Sequence, residues 1–241
     1  MNDEFYNKMI ELSKKIDISL TETQIKKFFE YMKLLLEWNK KINLTAIIEV
    51  DDIILKHFID SLTIIKYIKG NDKIIDVGTG AGFPGIPIGI MNSNIDITLL
   101  DSLNKRINFL NEVCNKLELK NIKTIHGRAE DFGQNIETRE KFDIAVSRAV
   151  ANMTTLVEYL IPFVKVGGYA ICMKGPEIDE ELSKAKFAIK ELGGKVEKVE
   201  KFILPNSDIE RNIVIIKKIS DTPNKYPRKA GTPSQSPMFH R

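Results

Sequence analysis

The sequence is poor in the residues that build metal and redox centres. Its two cysteines, Cys114 and Cys172, stand alone and form no C-x-x-C pair. Its three histidines share no metal-ligand spacing with Asp or Glu. Neither a metal site nor a dithiol redox centre is expected. Long apolar runs are missing too, and none approaches the length of a membrane span. The first residues, Met1-Asn2-Asp3-Glu4, are acidic and lack the basic and apolar regions of a secretory leader, so the expected location is cytoplasmic. No internal repeat is present. Charge of one sign is also scarce: 36 Lys and Arg stand against 33 Asp and Glu, for a net charge of +3.

What is present is ordinary for a soluble globular chain, with 43% hydrophobic and 29% charged residues over 241 positions. That length fits one large domain, or a core domain with an appendage. The charge is unevenly placed. Lys217, Lys218, Lys225, Arg228, Lys229 and Arg241 face only Asp221 over the last stretch, which suits either an anionic macromolecule or a solvated tail.

Residues 1–70 read as a helical cap. Thr21-Glu22-Thr23-Gln24 is a capping box, and Ile25, Phe28, Phe29, Met32, Leu35 and Leu36 follow at helical spacing. A further helix is expected over 51–68. From Lys73 onward strands and helices alternate, which implies a parallel sheet covered on both faces. Strands are expected at 73–77, 95–100, 122–126, 142–147 and 168–174, and helices at 84–91, 103–118, 152–163 and 177–192. Two final runs, 195–203 and 211–219, have no helix between them and read as an antiparallel pair at the sheet edge. Residues 71–220 thus form the core. Residues 221–241 read as a basic, irregular and mobile end of the same globular unit.

The most informative stretch is Asp76-Val77-Gly78-Thr79-Gly80-Ala81-Gly82-Phe83-Pro84-Gly85. It joins a buried strand to a helix, and its glycines let backbone N–H groups approach a ligand. The spacing is G-x-G-x-G, not the G-x-G-x-x-G of dinucleotide binders. Asp76, before the first glycine, suits an ammonium group and would repel a pyrophosphate. Asp101 closes the next strand, where an acid can accept both ribose hydroxyls. S-adenosylmethionine has the ammonium group and no phosphate. With the strand order above, this predicts an α/β class I (Rossmann-like) methyltransferase sheet, with a terminal antiparallel hairpin and an N-terminal helical cap. A glycine turn without a ligand is the plainer reading.

Ligands lie at the carboxyl ends of such strands, so each end offers candidates. Asp76, Gly78, Gly80, Gly82, Phe83, Asp101, Ser102, Ala129 and Glu130 are the expected cofactor contacts. Arg128, Arg148 and Lys174 are expected to cluster as the catalytic cations, holding RNA phosphates or donating to guanine O6. The fourth strand ends Ser147-Arg148. It has neither the Asn/Asp-Pro-Pro-aromatic motif of exocyclic-amine methylation nor a cysteine nucleophile. A ring nitrogen such as guanine N7 needs no base, because its lone pair is already free. Catalysis then reduces to alignment and exclusion of water. His57 reads as a structural histidine fixed by a carboxylate or backbone oxygen, His126 as strand-end packing, and both cysteines as core.

Together these residues resemble the bacterial small-subunit ribosomal RNA guanine-N7 methyltransferases, the glucose-inhibited division protein B family. The resemblance runs through Trp38-Asn39, Asn43-Leu44-Thr45, His57-Phe58-Ile59-Asp60-Ser61-Leu62, the glycine loop and Asp101-Ser102-Leu103-Asn104-Lys105-Arg106. It continues in Gly127-Arg128-Ala129-Glu130-Asp131, Ser147-Arg148-Ala149, Lys174-Gly175 and Tyr226-Pro227-Arg228-Lys229-Ala230-Gly231-Thr232-Pro233. It implies S-adenosylmethionine as donor, with contacts at Gly78, Phe83, Ala129, Glu130 and Arg148. It implies as acceptor one guanine, position 527, in the decoding region of 16S rRNA. The implied partner is 16S rRNA, within a 30S particle or an assembly intermediate, with no membrane and no obligate protein partner. Two other readings stay open: a nucleotide-cofactor dehydrogenase, and a non-catalytic ribosome-assembly or RNA-binding protein that retains the cofactor fold.

Overall fold

Alternation of apolar strands with amphipathic helices produces the expected layers. The computed structural model describes residues 1–148 and 150–239; Ala149, His240 and Arg241 lie outside the described residues. The first helices are α1 (Asp3–Lys14) and α2 (Glu22–Asn39), the second started by the Thr21/Gln24 capping box. The helix expected over 51–68 is broken. It runs as α3 (Val50–Ile53), a π-helical stretch (Ile54–Ile59), α4 (Asp60–Leu62) and a 3-10 turn (Ile65–Tyr67).

The strands are β1 (Lys73–Val77), β2 (Asp96–Asp101), β3 (Ile122–His126), β4 (Phe142–Arg148), β5 (Val164–Lys174), β6 (Gly194–Ile203) and β7 (Glu210–Lys218). Between them run α5 (Gly85–Met91), α6 (Asn104–Lys116), α7 (Ala129–Gln134), α8 (Met153–Leu160) and α9 (Ile178–Glu191); α10 (Thr232–Gln235) follows the sheet. The spatial order is β3-β2-β1-β4-β5-β7-β6. The first five strands are parallel, and β7 runs antiparallel to both β5 and β6, as the missing helix foretold. Strand β5 starts earlier than expected because Gly167 and Gly168 lie inside it. A Cβ at Gly168 would meet the Asp143 carbonyl oxygen at 2.4 Å, and the β4–β5 register shifts there.

Successive strand residues point to opposite faces and build two cores. Ile74, Ile97, Leu99, Ile144, Val146 and Ile171 pack with α6 and with the N-terminal helices in one cluster. Ile75, Val77, Leu100, Ala145, Ala170 and Cys172 pack with α8 and α9 in the other. The helical cap therefore has no core of its own. Among the described residues no helix is long and apolar enough to cross a membrane.

Residues 221–239 are irregular, as expected, but they are tied down. Arg139 donates to the carbonyl oxygens of Thr222, Pro223 and Tyr226, and Gln134 to those of Asn224 and Pro227. Their charge is largely answered within the chain. Lys218 pairs with Glu140, Lys225 with Glu191, and Arg228 with the fully buried Glu158. Among the described residues this end is therefore anchored to the body, with Lys218, Lys225 and Arg228 answered by acids.

Candidate active site

Strand order reverses between β1 and β4, so the loops after them diverge and leave a cleft at the carboxyl edge. A cavity of about 700 Å³ opens there, walled by Gly78, Gly80, Phe83, Asp101, Ser102, Arg148 and Lys174 among others. A smaller lobe of about 160 Å³ is lined by Arg128, Ala129, Glu130 and Tyr159. The two lobes share Gly78, Asp101, Ser102 and Val150.

The glycine loop is shaped by close contacts. Gly78 has φ +69°, and a Cβ on it would lie 2.8 Å from Val150 Cγ2. Gly82 has φ +98°, and a Cβ there would meet Ile86 at 2.5 Å and the Tyr31 hydroxyl at 2.7 Å. Gly82 thus serves packing against the cap and lines neither lobe. The Tyr31 hydroxyl donates to the Ala81 carbonyl oxygen, so α2 holds the loop directly.

Asp76 lies behind the loop. It is fully buried, and its Oδ2 accepts from Thr79 Oγ1 at 2.7 Å and from the Gly85 N–H at 2.8 Å. Its Oδ1 has no partner, and burial pushes the carboxyl up to about 7. It lines neither lobe. Where the sequence reading set it beside an ammonium group, it sits outside both lobes and clamps the turn from beneath. Asp101 does face both lobes. It also accepts from the Gly80 N–H, the Leu103 N–H and Arg106, which sets its orientation.

Arg148 is drawn into the cap. Its guanidinium donates to the Lys56 and His57 carbonyl oxygens, to Asp60 Oδ2 and to His57 Nδ1. Its central carbon sits 4.9 Å from the Phe83 ring centroid. His57 stacks on the same Phe83 ring, with centroids 4.4 Å apart. Because a guanidinium only donates, His57 Nδ1 accepts, and Nε2 donates to Thr45 Oγ1 at 2.9 Å. The histidine is structural, as expected, but its side-chain partners are a cation and a hydroxyl rather than a carboxylate. Burial and the facing Arg148 hold its imidazole down at about 3.

Lys174 binds the Ala151 carbonyl oxygen at 2.8 Å and Glu181 at 2.7 Å, and Glu181 also accepts from the Met153 N–H. It joins the loops after β4 and β5. Arg148 and Lys174 share the larger cavity, whereas Arg128 lies at the smaller lobe, so the three cations do not form one cluster. Ser147 is buried and donates to the Val77 carbonyl oxygen, and Ala149 lies outside the described residues. His126 is exposed and bonds the Ser102 carbonyl oxygen. Cys114 and Cys172 are buried, their thiols pushed up to about 11 and about 12.

Sequence reasoning missed Asp60, Arg211 and Tyr31. Asp60 Oδ2 accepts from both Arg148 and Arg211, and both arginines line the larger cavity. Asp60 sits one turn after His57 but far from Arg148 in sequence, so their contact is tertiary and no local pattern announces it. Arg211 had no signal either, because only the antiparallel return of β7 brings it to this edge. Among the described residues no group of three or more His, Cys, Asp or Glu could hold a metal ion.

Comparison with known proteins fits this geometry. The family described as rRNA small subunit methyltransferase G (GidB) matches residues 24–214. The ribosomal RNA small subunit methyltransferase G of Alkaliphilus oremlandii is 57% identical over 92% of this chain and 94% of its own length. That of Clostridium novyi is 50% identical over 99% of this chain and its own full length. Among solved structures, M. jannaschii TYW2 in complex with AdoMet aligns with a TM-score of 0.52 at 14% identity, over 66% of this chain and 75% of that one. A SAM-dependent methyltransferase from Methanosarcina mazei aligns with a TM-score of 0.51 at 13% identity, over 66% and 97%. These structures share the fold, and the extent and identity of the sequence matches place the chain in the rRNA small subunit methyltransferase G family.

Proposed function

We propose that this protein transfers the methyl group of S-adenosylmethionine to N7 of one guanine, position 527, in the decoding region of 16S rRNA. Family membership and the names of the relatives support the class of reaction. One observation supports the ring nitrogen in particular. Each carboxylate in the wall of the larger cavity sits in an ion pair: Asp60 through Oδ2 with Arg148 and Arg211, its Oδ1 being left without a partner, and Asp101 with Arg106 and two backbone N–H groups. The one imidazole there is bonded on both nitrogens and held neutral. Such a wall holds its carboxylates as ion-paired anions and its imidazole neutral and doubly bonded, an arrangement that suits N7, which has no proton to lose.

The residues present fit the donor. The smaller lobe offers Ser102, Ala129 and the carboxylates of Asp101 and Glu130 to an adenosine. The larger offers Gly78 and the Phe83 ring, beside Lys56, Arg106, Arg148, Lys174 and Arg211. The bound donor supplies an electrophilic methyl carbon on a sulfonium. The chain's own residues hold the loops, present Arg148 in a fixed orientation and screen the cleft from water. Guanine N7 brings an in-plane lone pair and loses no proton. The cations in the cleft suit an RNA backbone or guanine O6. With ribosomal RNA as acceptor, the protein works in the cytoplasm.

The test is transfer of labelled methyl from S-adenosylmethionine to naked 16S rRNA and to 30S particles, both from cells lacking this protein. Label on one substrate form supports the reading and names that form. Binding of the donor without label on either would favour the assembly-factor role instead.

A further inference from the structure

The segment Tyr226–Pro233 carries a specific part of the family resemblance, yet methyl transfer as described gives it no task. It is a strap laid over α7 and α8. At one end the Arg228 guanidinium forks onto both oxygens of Glu158, at 2.7 to 3.2 Å, and the Arg228 N–H donates to the same carboxylate. At the other end Thr155 Oγ1 donates to the Pro233 carbonyl oxygen at 3.1 Å.

Between these anchors the strap reaches the smaller lobe. The Gly231 N–H donates to Glu130 Oε1 at 2.8 Å. Glu130 is only 6% exposed and lines that lobe. Tyr159, which also lines it, interacts with Ser234. One side chain of the lobe wall, Glu130, is thus held from behind by the strap. A carboxylate on a six-residue helix such as α7 has rotameric freedom unless something fixes it. The backbone N–H of Gly231 fixes it.

We propose that the strap is a positioning element for the smaller lobe, so that its docking and the binding of an adenosyl group there are coupled. The inference rests on the reading that this lobe takes the adenosyl end of the donor. Coupling is reciprocal: a ligand that contacts a fixed Glu130 stabilises the docked strap by the factor that docking adds to its affinity. Arg228 and Thr155 touch no ligand and act through Glu130.

The experiment uses the full chain and S-adenosylhomocysteine as probe. Calorimetry gives its Kd for the parent, for Arg228→Ala and for Thr155→Val, and thermal melts confirm that each variant is folded. Hydrogen exchange across 226–234 is followed with and without the probe. The expected result is slower exchange at Gly231 in the bound state. Each variant raises Kd about tenfold, the scale of loosening one charge-assisted hydrogen bond. The KM for S-adenosylmethionine rises with it, and kcat at saturating donor is unchanged. A purely structural strap would lower the melting temperature and leave Kd and KM alone, which overturns the proposal. Arg228→Ala leaves Glu158 buried without its cation. Should that variant not fold, Thr155→Val and the exchange data decide. A parent chain that fails to bind the probe at all overturns the placement of the lobe and the coupling with it.

Discussion

At Gly78 two constraints coincide, a positive φ and a 2.8 Å approach of Val150 to the missing Cβ. Gly78→Val meets both, so donor binding should be lost by calorimetry while the circular dichroism spectrum stays that of a folded chain. Undiminished binding would remove the glycine loop from the site. His57 gives a pH prediction. Its ordinary value of 6.5 falls to about 3 in the fold. The unfolded chain therefore takes up the proton first as pH drops. The stability tied to neutral His57 is complete above 6.5 and is lost between 6.5 and about 3. Between pH 6.5 and 5 this amounts to roughly 2 kcal/mol. Urea melts at the two pH values should show it in the parent, and His57→Gln should flatten that slope. Residue types pointed to Gly78, Phe83, Asp101 and Arg148, and all four line the larger cavity. Residue type did not announce that Asp76 turns under the loop, because nothing in a local motif says which lone pairs the turn itself will take. Thr79 and Gly85 take them.

Among the elements, the sheet was the most legible, since its central strands are short apolar runs buried on both faces and bounded by polar or glycine-bearing segments. The helix over 51–68 was not. Its apolar positions suit an α-helix, but a π-helical stretch at Ile54–Ile59 carries His57. From that stretch the Lys56 and His57 carbonyl oxygens accept from Arg148. That contact is tertiary and leaves no trace in spacing. The same holds for α2, whose capping box fixed its start, whereas the reach of Tyr31 to the Ala81 carbonyl oxygen emerges only on packing. Tyr31→Phe keeps the ring stack with Phe58 and Phe83 and removes that one bond. It should cost about 1 kcal/mol in urea melts. It should also weaken donor binding severalfold, with little effect on acceptor KM. An unchanged donor Kd would mean that the cap does not set the loop. The terminal segment was misjudged as mobile because its composition is that of a loop. Its order comes from carbonyl oxygens meeting Arg139 and from Glu158 meeting Arg228.

For the whole molecule, the cap and one face of the sheet share a single apolar cluster, so the helices that frame the cleft are part of the core that holds it. The cleft lies where the topology puts it, at the reversal between β1 and β4. Net charge said little about partners, because Lys218, Lys225 and Arg228 find acids within the chain, and the cleft cations Arg106, Arg148, Lys174 and Arg211 are ion-paired as well. The proposed product is an N7-methylated guanine. Methylation at N7 makes the base labile to borohydride reduction, and aniline then cuts the RNA chain there. 16S rRNA from cells lacking this protein, incubated with it and S-adenosylmethionine, should acquire one new cut, at guanine 527. Label in the RNA without a cut, or a cut elsewhere, would contradict the assignment.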